Sequence, residues 1–186
     1  MVTNLQLPVL WLCGAPATGK STVAWQVFSD LADQRLCVGY LDIDQIGMLQ
    51  PPPDADPSCH RFKVDSLAAM VRNYRAAGAQ VLVISGVIDP EHGHDFAGAA
   101  VEADITFCHL IVDEPTLRER LTARGWPCEA ADEAMIMMKD LADAPFAPRD
   151  RHHGARPRRP CPRRCNSGDS RFQHPRHAGA AGVLCR

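Results

Sequence analysis

Gly14-Ala15-Pro16-Ala17-Thr18-Gly19-Lys20-Ser21 decides the reading of this chain. The run has the spacing G-x-x-x-x-G-K-[ST]. An apolar stretch, Pro8 to Cys13 (PVLWLC), precedes it and reads as a buried strand. After it, Gly19 to Leu31 sets Val23, Val27, Phe28 and Leu31 at the period of an amphipathic helix. A strand-to-helix turn with this spacing predicts a phosphate-binding loop. Glycine allows the φ values and the close approach by which successive N–H groups wrap an anion. The positive end of the following helix adds to the attraction. Gly14, Ala15, Pro16, Ala17, Thr18, Gly19, Lys20, Ser21 and Thr22 are therefore expected to bind ATP, or another nucleoside triphosphate, with Mg²⁺. Lys20 is expected at the β- and γ-phosphates, Ser21 on the metal ion, and Thr22 donating toward the α-phosphate. Pro16 has no N–H and belongs where none is required.

The same alternation continues along the chain. Val38 to Ile43 (VGYLDI), Val81 to Ile88 (VLVISGVI) and Ile105 to Val112 (ITFCHLIV) read as strands. Helical spacing covers Arg61 to Ala77, with Gly78 as the stop, then Pro115 to Arg124 and Glu129 to Leu141. A weaker helical stretch covers Asp95 to Glu102, and the Pro/Asp-rich Gln50 to Pro57 reads as loop. Apolar strands alternating with helices predict an α/β fold of three layers, a parallel sheet between two helical faces. No internal repeat is present.

Leu41-Asp42-Ile43-Asp44 puts two carboxylates at the carboxyl end of the second strand. Ligands of parallel sheets bind at that end. Strand alternation would turn both to one side. Asp42 is then a candidate to hold a water on Mg²⁺, and Asp44 to orient or deprotonate an acceptor hydroxyl. The competing reading makes them solvated loop carboxylates, with Asp44 capping a short helix. The third strand ends in Ser85-Gly86 rather than Asp, which leaves Asp42 as the better metal-side carboxylate. Arg120 and Arg124 lie one turn apart after the fourth strand, where two guanidinium groups can clamp a transferring phosphoryl group. The plain alternative is a solvated surface helix.

Composition separates two regions. Residues 149–186 hold ten of the 20 basic residues, all Arg, and two of the 22 acidic ones. Residues 1–148 form the expected domain. The tail has too little apolar surface to offset its ordering entropy and is expected to be disordered. Two origins compete: a native basic arm for nucleic acid or another polyanion, or the product of a reading-frame shift in a GC-rich gene. Ten Arg without a single Lys favours the second. The eight Cys are irregularly spaced, and several sit in apolar runs, which excludes a disulfide scaffold and suits a reducing, cytoplasmic setting. No apolar stretch reaches the length of a membrane span, and no basic region precedes the first apolar run.

Residues 8 to about 144 resemble the small P-loop kinases: shikimate kinase, gluconate kinase, adenylylsulfate kinase and chloramphenicol phosphotransferase. The resemblance rests on the phosphate loop after strand one, the acidic pair after strand two and the arginines after strand four. It implies transfer of the γ-phosphoryl group of ATP–Mg²⁺ to a hydroxyl of a small-molecule acceptor. Lys20, Asp44, Arg120 and Arg124 would be catalytic, and Ser21 and Asp42 would serve the metal ion. Three departures stand out. Leu-Asp-Ile-Asp-Gln replaces the Leu-Asp-Gly-Asp-Asn of adenylylsulfate kinases, Gly86 stands without the glycine cluster of shikimate kinases, and neither a fifth strand nor a closing helix is legible after Pro148. That last departure supports an alternative in which the chain binds nucleotide with little or no transfer. A third reading is an NTP-dependent factor that uses the basic arm on nucleic acid.

Four smaller features remain. Cys161-x-x-x-Cys165 with His152 and His153 has a superficial zinc pattern, opposed by the surrounding Arg and Pro. His92-Gly93-His94 and Arg61 lie where an acceptor could be met. Met135, Met137 and Met138 read as packing.

Overall fold

The computed structural model describes residues 6–88, 93–143 and 182–185. Its elements run β1 (Leu7–Cys13), α1 (Lys20–Asp33), β2 (Val38–Asp42), α2 (Ile43–Ile46), α3 (His60–Ala76), β3 (Val81–Ser85), α4 (Gly93–Ala99), β4 (Ala103–Ile111), α5 (Glu114–Ala123), α6 (Cys128–Asp143) and β5 (Gly182–Cys185). The strand order is β2-β3-β1-β4-β5. The first four strands are parallel. The predicted α/β three-layer fold is therefore present.

Alternation along the strands assigns the two faces. Val9, Trp11, Leu41, Leu82 and Ile84 point into the larger core, against Leu67 and Val71 of α3 and Phe96 of α4. Leu12, Val83, Cys108 and Leu110 point to the other side, against Ala24, Val23 and Val27 of α1. Both faces of the sheet are thus buried, as the unbroken apolar strands require. Trp11 anchors the first core. It is fully buried, with Phe96 at 5.1 Å edge-on and Phe107 at 5.5 Å. Its indole Nε1 has no hydrogen-bond partner among the described residues. Dispersion and apolar burial hold the ring.

Element ends follow local chemistry. Asp113 caps α5, accepting from the Thr116 N–H at 2.9 Å, with Pro115 in the first turn. Those bonds to Thr116 hold the Asp113 carboxyl below its ordinary range. The α3 helix stops at Ala77 and Gly78, where the chain turns left-handed.

The sequence reading placed no strand after residue 148. The structure places Gly182–Cys185 antiparallel to β4, with Cys108 opposite Cys185 and Ile111 opposite Gly182. Val183 is a residue type that favours strands, and with Leu184 it is among the few large apolar residues of this segment. The sheet therefore has a fifth strand where the sequence offered none, and it runs antiparallel to β4. The rest of 149–186, including the Cys161–Cys165 pattern, lies outside the described residues. Among those described, no helix is long and apolar enough to cross a membrane.

Candidate active site

The loop after β1 is shaped by two glycines. Gly14 has φ 148 and Gly19 has φ 98, both in the region that favours glycine. A Cβ on Gly14 would lie 2.7 Å from the Leu110 carbonyl oxygen of β4. Gly19 is the N-cap of α1 and brings no side-chain hydrogen bond to it. First-turn N–H groups of a helix have no intrahelical acceptor, so a fourteen-residue helix here presents donors and a positive end to an anion. A polyphosphate fits this loop.

Lys20 opens α1 and is buried, its Nζ donating to the Ala15 carbonyl at 2.9 Å. Burial lowers its pKa from the ordinary lysine value. The Asp44 and Asp42 charges oppose that shift, and Arg124 adds to it. Thr18 is also buried and closes the loop by donating to the same carbonyl at 2.9 Å.

Asp42 is the last residue of β2. Its Oδ2 accepts from Ser21 Oγ at 3.3 Å and from Ser85 Oγ at 3.1 Å. Its Oδ1 accepts the N–H groups of Asp44 at 3.0 Å and Gln45 at 3.3 Å. A hydroxyl that donates to a carboxylate keeps its lone pairs free. Ser21 can therefore face a cation while its proton holds Asp42, and this oxygen-only pair suits Mg²⁺ completed by phosphate and water. Among the described residues no group of three or more His, Cys, Asp or Glu is placed to hold a metal ion by itself.

The expected strand alternation of Asp42 and Asp44 does not occur. The strand ends at Asp42, and Asp44 lies in the first turn of α2. Asp42, not Asp44, caps that helix. The reason is that an Asp side chain accepts readily from N–H groups two and three residues on, which turns the chain out of the strand. Asp44 is instead fixed by the loop after β3, accepting from the Val87 N–H at 3.1 Å. Gly86 makes this possible. It has φ 139, and a Cβ there would fall 2.2 Å from Ile43 Cγ2 and 3.2 Å from Asp44 Oδ2. Gly86→Ala is expected to cost about 2 kcal/mol or more from overpacking and backbone strain. Urea denaturation measures that loss.

The two arginines divide. Arg120 donates from Nη1 to the carbonyls of Ala17 at 3.3 Å and Thr18 at 3.4 Å, bringing α5 onto the loop. Arg124 follows the last residue of α5 as its cap, exposed, and acts on Lys20 through its charge. Beneath them Ala15 and Ala17 pack with Leu117, Leu121, Ala134, Met135 and Met138, so two of the three methionines are indeed packing. Arg118 bonds Glu114 at 2.9 Å and Asp132 at 2.7 Å, joining α5 to α6.

Sequence reasoning named His94 but missed His60 and Asp95, with which it clusters where α3 and α4 begin. His60 Nε2 lies 2.9 Å from Asp95 Oδ2, and His94 Nε2 lies 3.1 Å from Asp95 Oδ1. Arg61 is exposed beside them, and His92 lies outside the described residues. The separation of His60 and Asp95 along the chain left no local signal.

A family model described as AAA domain matches residues 9–145. The structure of a tunicamycin resistance protein from Deinococcus radiodurans is similar, with TM-score 0.55, 18% identity, and 76% of this chain and 83% of that one covered. A gluconokinase from Sinorhizobium meliloti 1021 gives TM-score 0.52 at 14% identity, covering 75% and 79%. A sugar kinase from Janibacter sp. HTCC2649 gives 0.50 at 16% identity, covering 72% and 78%. At these identities the likeness is one of fold. No curated protein matches the sequence.

Proposed function

Because the chain belongs to the AAA domain family, we propose that it is a phosphotransferase that moves the γ-phosphoryl group of ATP to a hydroxyl of a small-molecule acceptor. One observation carries this reading. Groups from four separate segments meet at the carboxyl end of the parallel strands: Lys20 and Ser21, Asp42 and Asp44, Val87, and Arg120.

In this reading the loop amides and Lys20 bind the β- and γ-phosphates. Ser21 and Asp42 would hold Mg²⁺, which supplies charge neutralisation between those phosphates when bound. Asp44, held by Val87, takes the acceptor hydroxyl and points its oxygen at the γ-phosphorus. Arg120 leaves the loop carbonyls for the transferring oxygens, where charge accumulates as the bond to the leaving oxygen lengthens. Because phosphoryl transfer asks mostly for positioning and electrostatics, these few groups suffice. The acceptor's proton passes to Asp44.

The test is ADP release with ATP, Mg²⁺ and a panel of hydroxylated metabolites. Release that depends on an acceptor supports the proposal. Saturable ATP binding with no acceptor-dependent release across the panel opposes it, and leaves a nucleotide-binding protein. Arg120→Ala is expected to lower kcat by about 10²-fold or more, with a small change in ATP affinity, since one preorganised donor contributes on that scale.

A further inference from the structure

The metal-side carboxylate is held by more than the phosphate loop. Asp42 of β2 stands opposite Ser85 of β3 in the parallel register. Ser85 is fully buried, and its Oγ donates to Asp42 Oδ2 at 3.1 Å. The hydroxyl of Tyr40, two residues before Asp42 on the same face of β2, lies 3.1 Å from Ser85 Oγ. A serine hydroxyl has one proton. That proton goes to the carboxylate, so Tyr40 must be the donor of the second bond. The result is a directed chain, Tyr40 O–H to Ser85 O–H to Asp42, which ends on the same oxygen that Ser21 reaches.

Tyr40 is itself held in place. Trp25 of α1 meets its ring edge-on at 5.6 Å, and Phe28 lies at 6.0 Å. Tyr74 of α3 donates to its backbone carbonyl at 2.8 Å. A hydroxyl pair of this kind fixes the direction of a ligand's lone pairs, and outer partners of metal ligands typically carry 10- to 100-fold in metal affinity. A mere packing role for Tyr40 would not require its oxygen.

We propose that Tyr40 is a positioning residue for the divalent cation, acting through Ser85 to aim Asp42 Oδ2 at the metal side of the nucleotide. The inference rests on the reading of Asp42 given above. It predicts that the aim of Asp42, and with it cation affinity, depends on a phenol that touches neither cation nor nucleotide.

The experiment is calorimetric ATP binding to the full chain at graded Mg²⁺, with Mn²⁺ as a second probe. Tyr40→Phe keeps the ring and removes the donor. It should raise the Mg²⁺ concentration for half-saturation about 5-fold or more. Ser85→Ala should raise it about 10-fold or more. The double variant should be no worse than Ser85→Ala alone, because Tyr40 acts only through that hydroxyl. Metal-free ATP affinity and the melting temperature of Tyr40→Phe should be close to those of the parent.

Additive effects of the two substitutions overturn the relay. So does an unchanged Mg²⁺ requirement in Tyr40→Phe, with or without a fall in melting temperature. Asp42→Asn separates this from failure of the underlying reading. If Asp42→Asn leaves Mg²⁺ dependence unchanged, Asp42 does not serve the cation and both fail. If it weakens the dependence while Tyr40→Phe does not, only the relay fails.

Discussion

Lys20→Met is expected to weaken ATP binding by about 10²-fold or more without lowering the melting temperature. The binding loss follows from charge. In the proposed reading Lys20 makes charge-assisted bonds to two phosphate groups, each worth about 1.5–3 kcal/mol, and each 1.4 kcal/mol is a factor of ten. The stability result follows from burial. An ammonium is held away from water at 9% exposure, and burial lowers its pKa despite two neighbouring carboxylates. Folding at neutral pH therefore carries a cost that methionine of similar length does not.

The sign can be checked by pH. Between the depressed folded value and the ordinary lysine value, the unfolded chain binds more protons than the folded one. Parent stability relative to Lys20→Met should then rise as pH climbs through that alkaline window. Melting curves of both proteins from neutral to alkaline pH, with ATP titrations at neutral pH, measure the pair of effects. Equal ATP affinity in parent and variant would end the phosphate-loop reading.

The second large effect belongs to Asp44. Asp44→Asn keeps an oxygen for the Val87 N–H and the shape of the side chain, but cannot take a proton. Turnover is expected to fall by about 10²- to 10⁴-fold, the usual range for a group that moves a proton in the transition state. ATP affinity should stay close to the parent value. A kcat within tenfold of the parent, measured with any acceptor found by the panel, would assign Asp44 to structure alone. Its hydrogen bond to Val87 makes that outcome meaningful, because the substitution preserves it.

Sequence periodicity made the main sheet legible. Apolar runs before Gly14, around Leu41, Leu82 and Leu110 each became a strand, and the glycine spacing marked the loop. Local signals also found Ser21, Asp42 and Arg120, which the fold brings together. What periodicity could not carry is the turn of one short element. Four residues of α2 are too few to show a helical period, so the sequence alone extends strand alternation to Asp44. Contacts between distant segments were equally silent. Nothing near Ser85 announces that it lies opposite Asp42, and nothing near Tyr40 announces Ser85. Both depend on register between strands, which the chain specifies only when the sheet assembles.

Ala15 and Ala17 have small side chains because both sides of their peptide are in use. One side of the loop is the proposed phosphate cradle. The other presses two methyl groups into Leu117, Leu121 and Met135. Ground and roof of the proposed site therefore share a single bearing surface. A bulkier residue at either alanine would lift α5 and α6 and carry Arg120 away from the loop carbonyls it now meets.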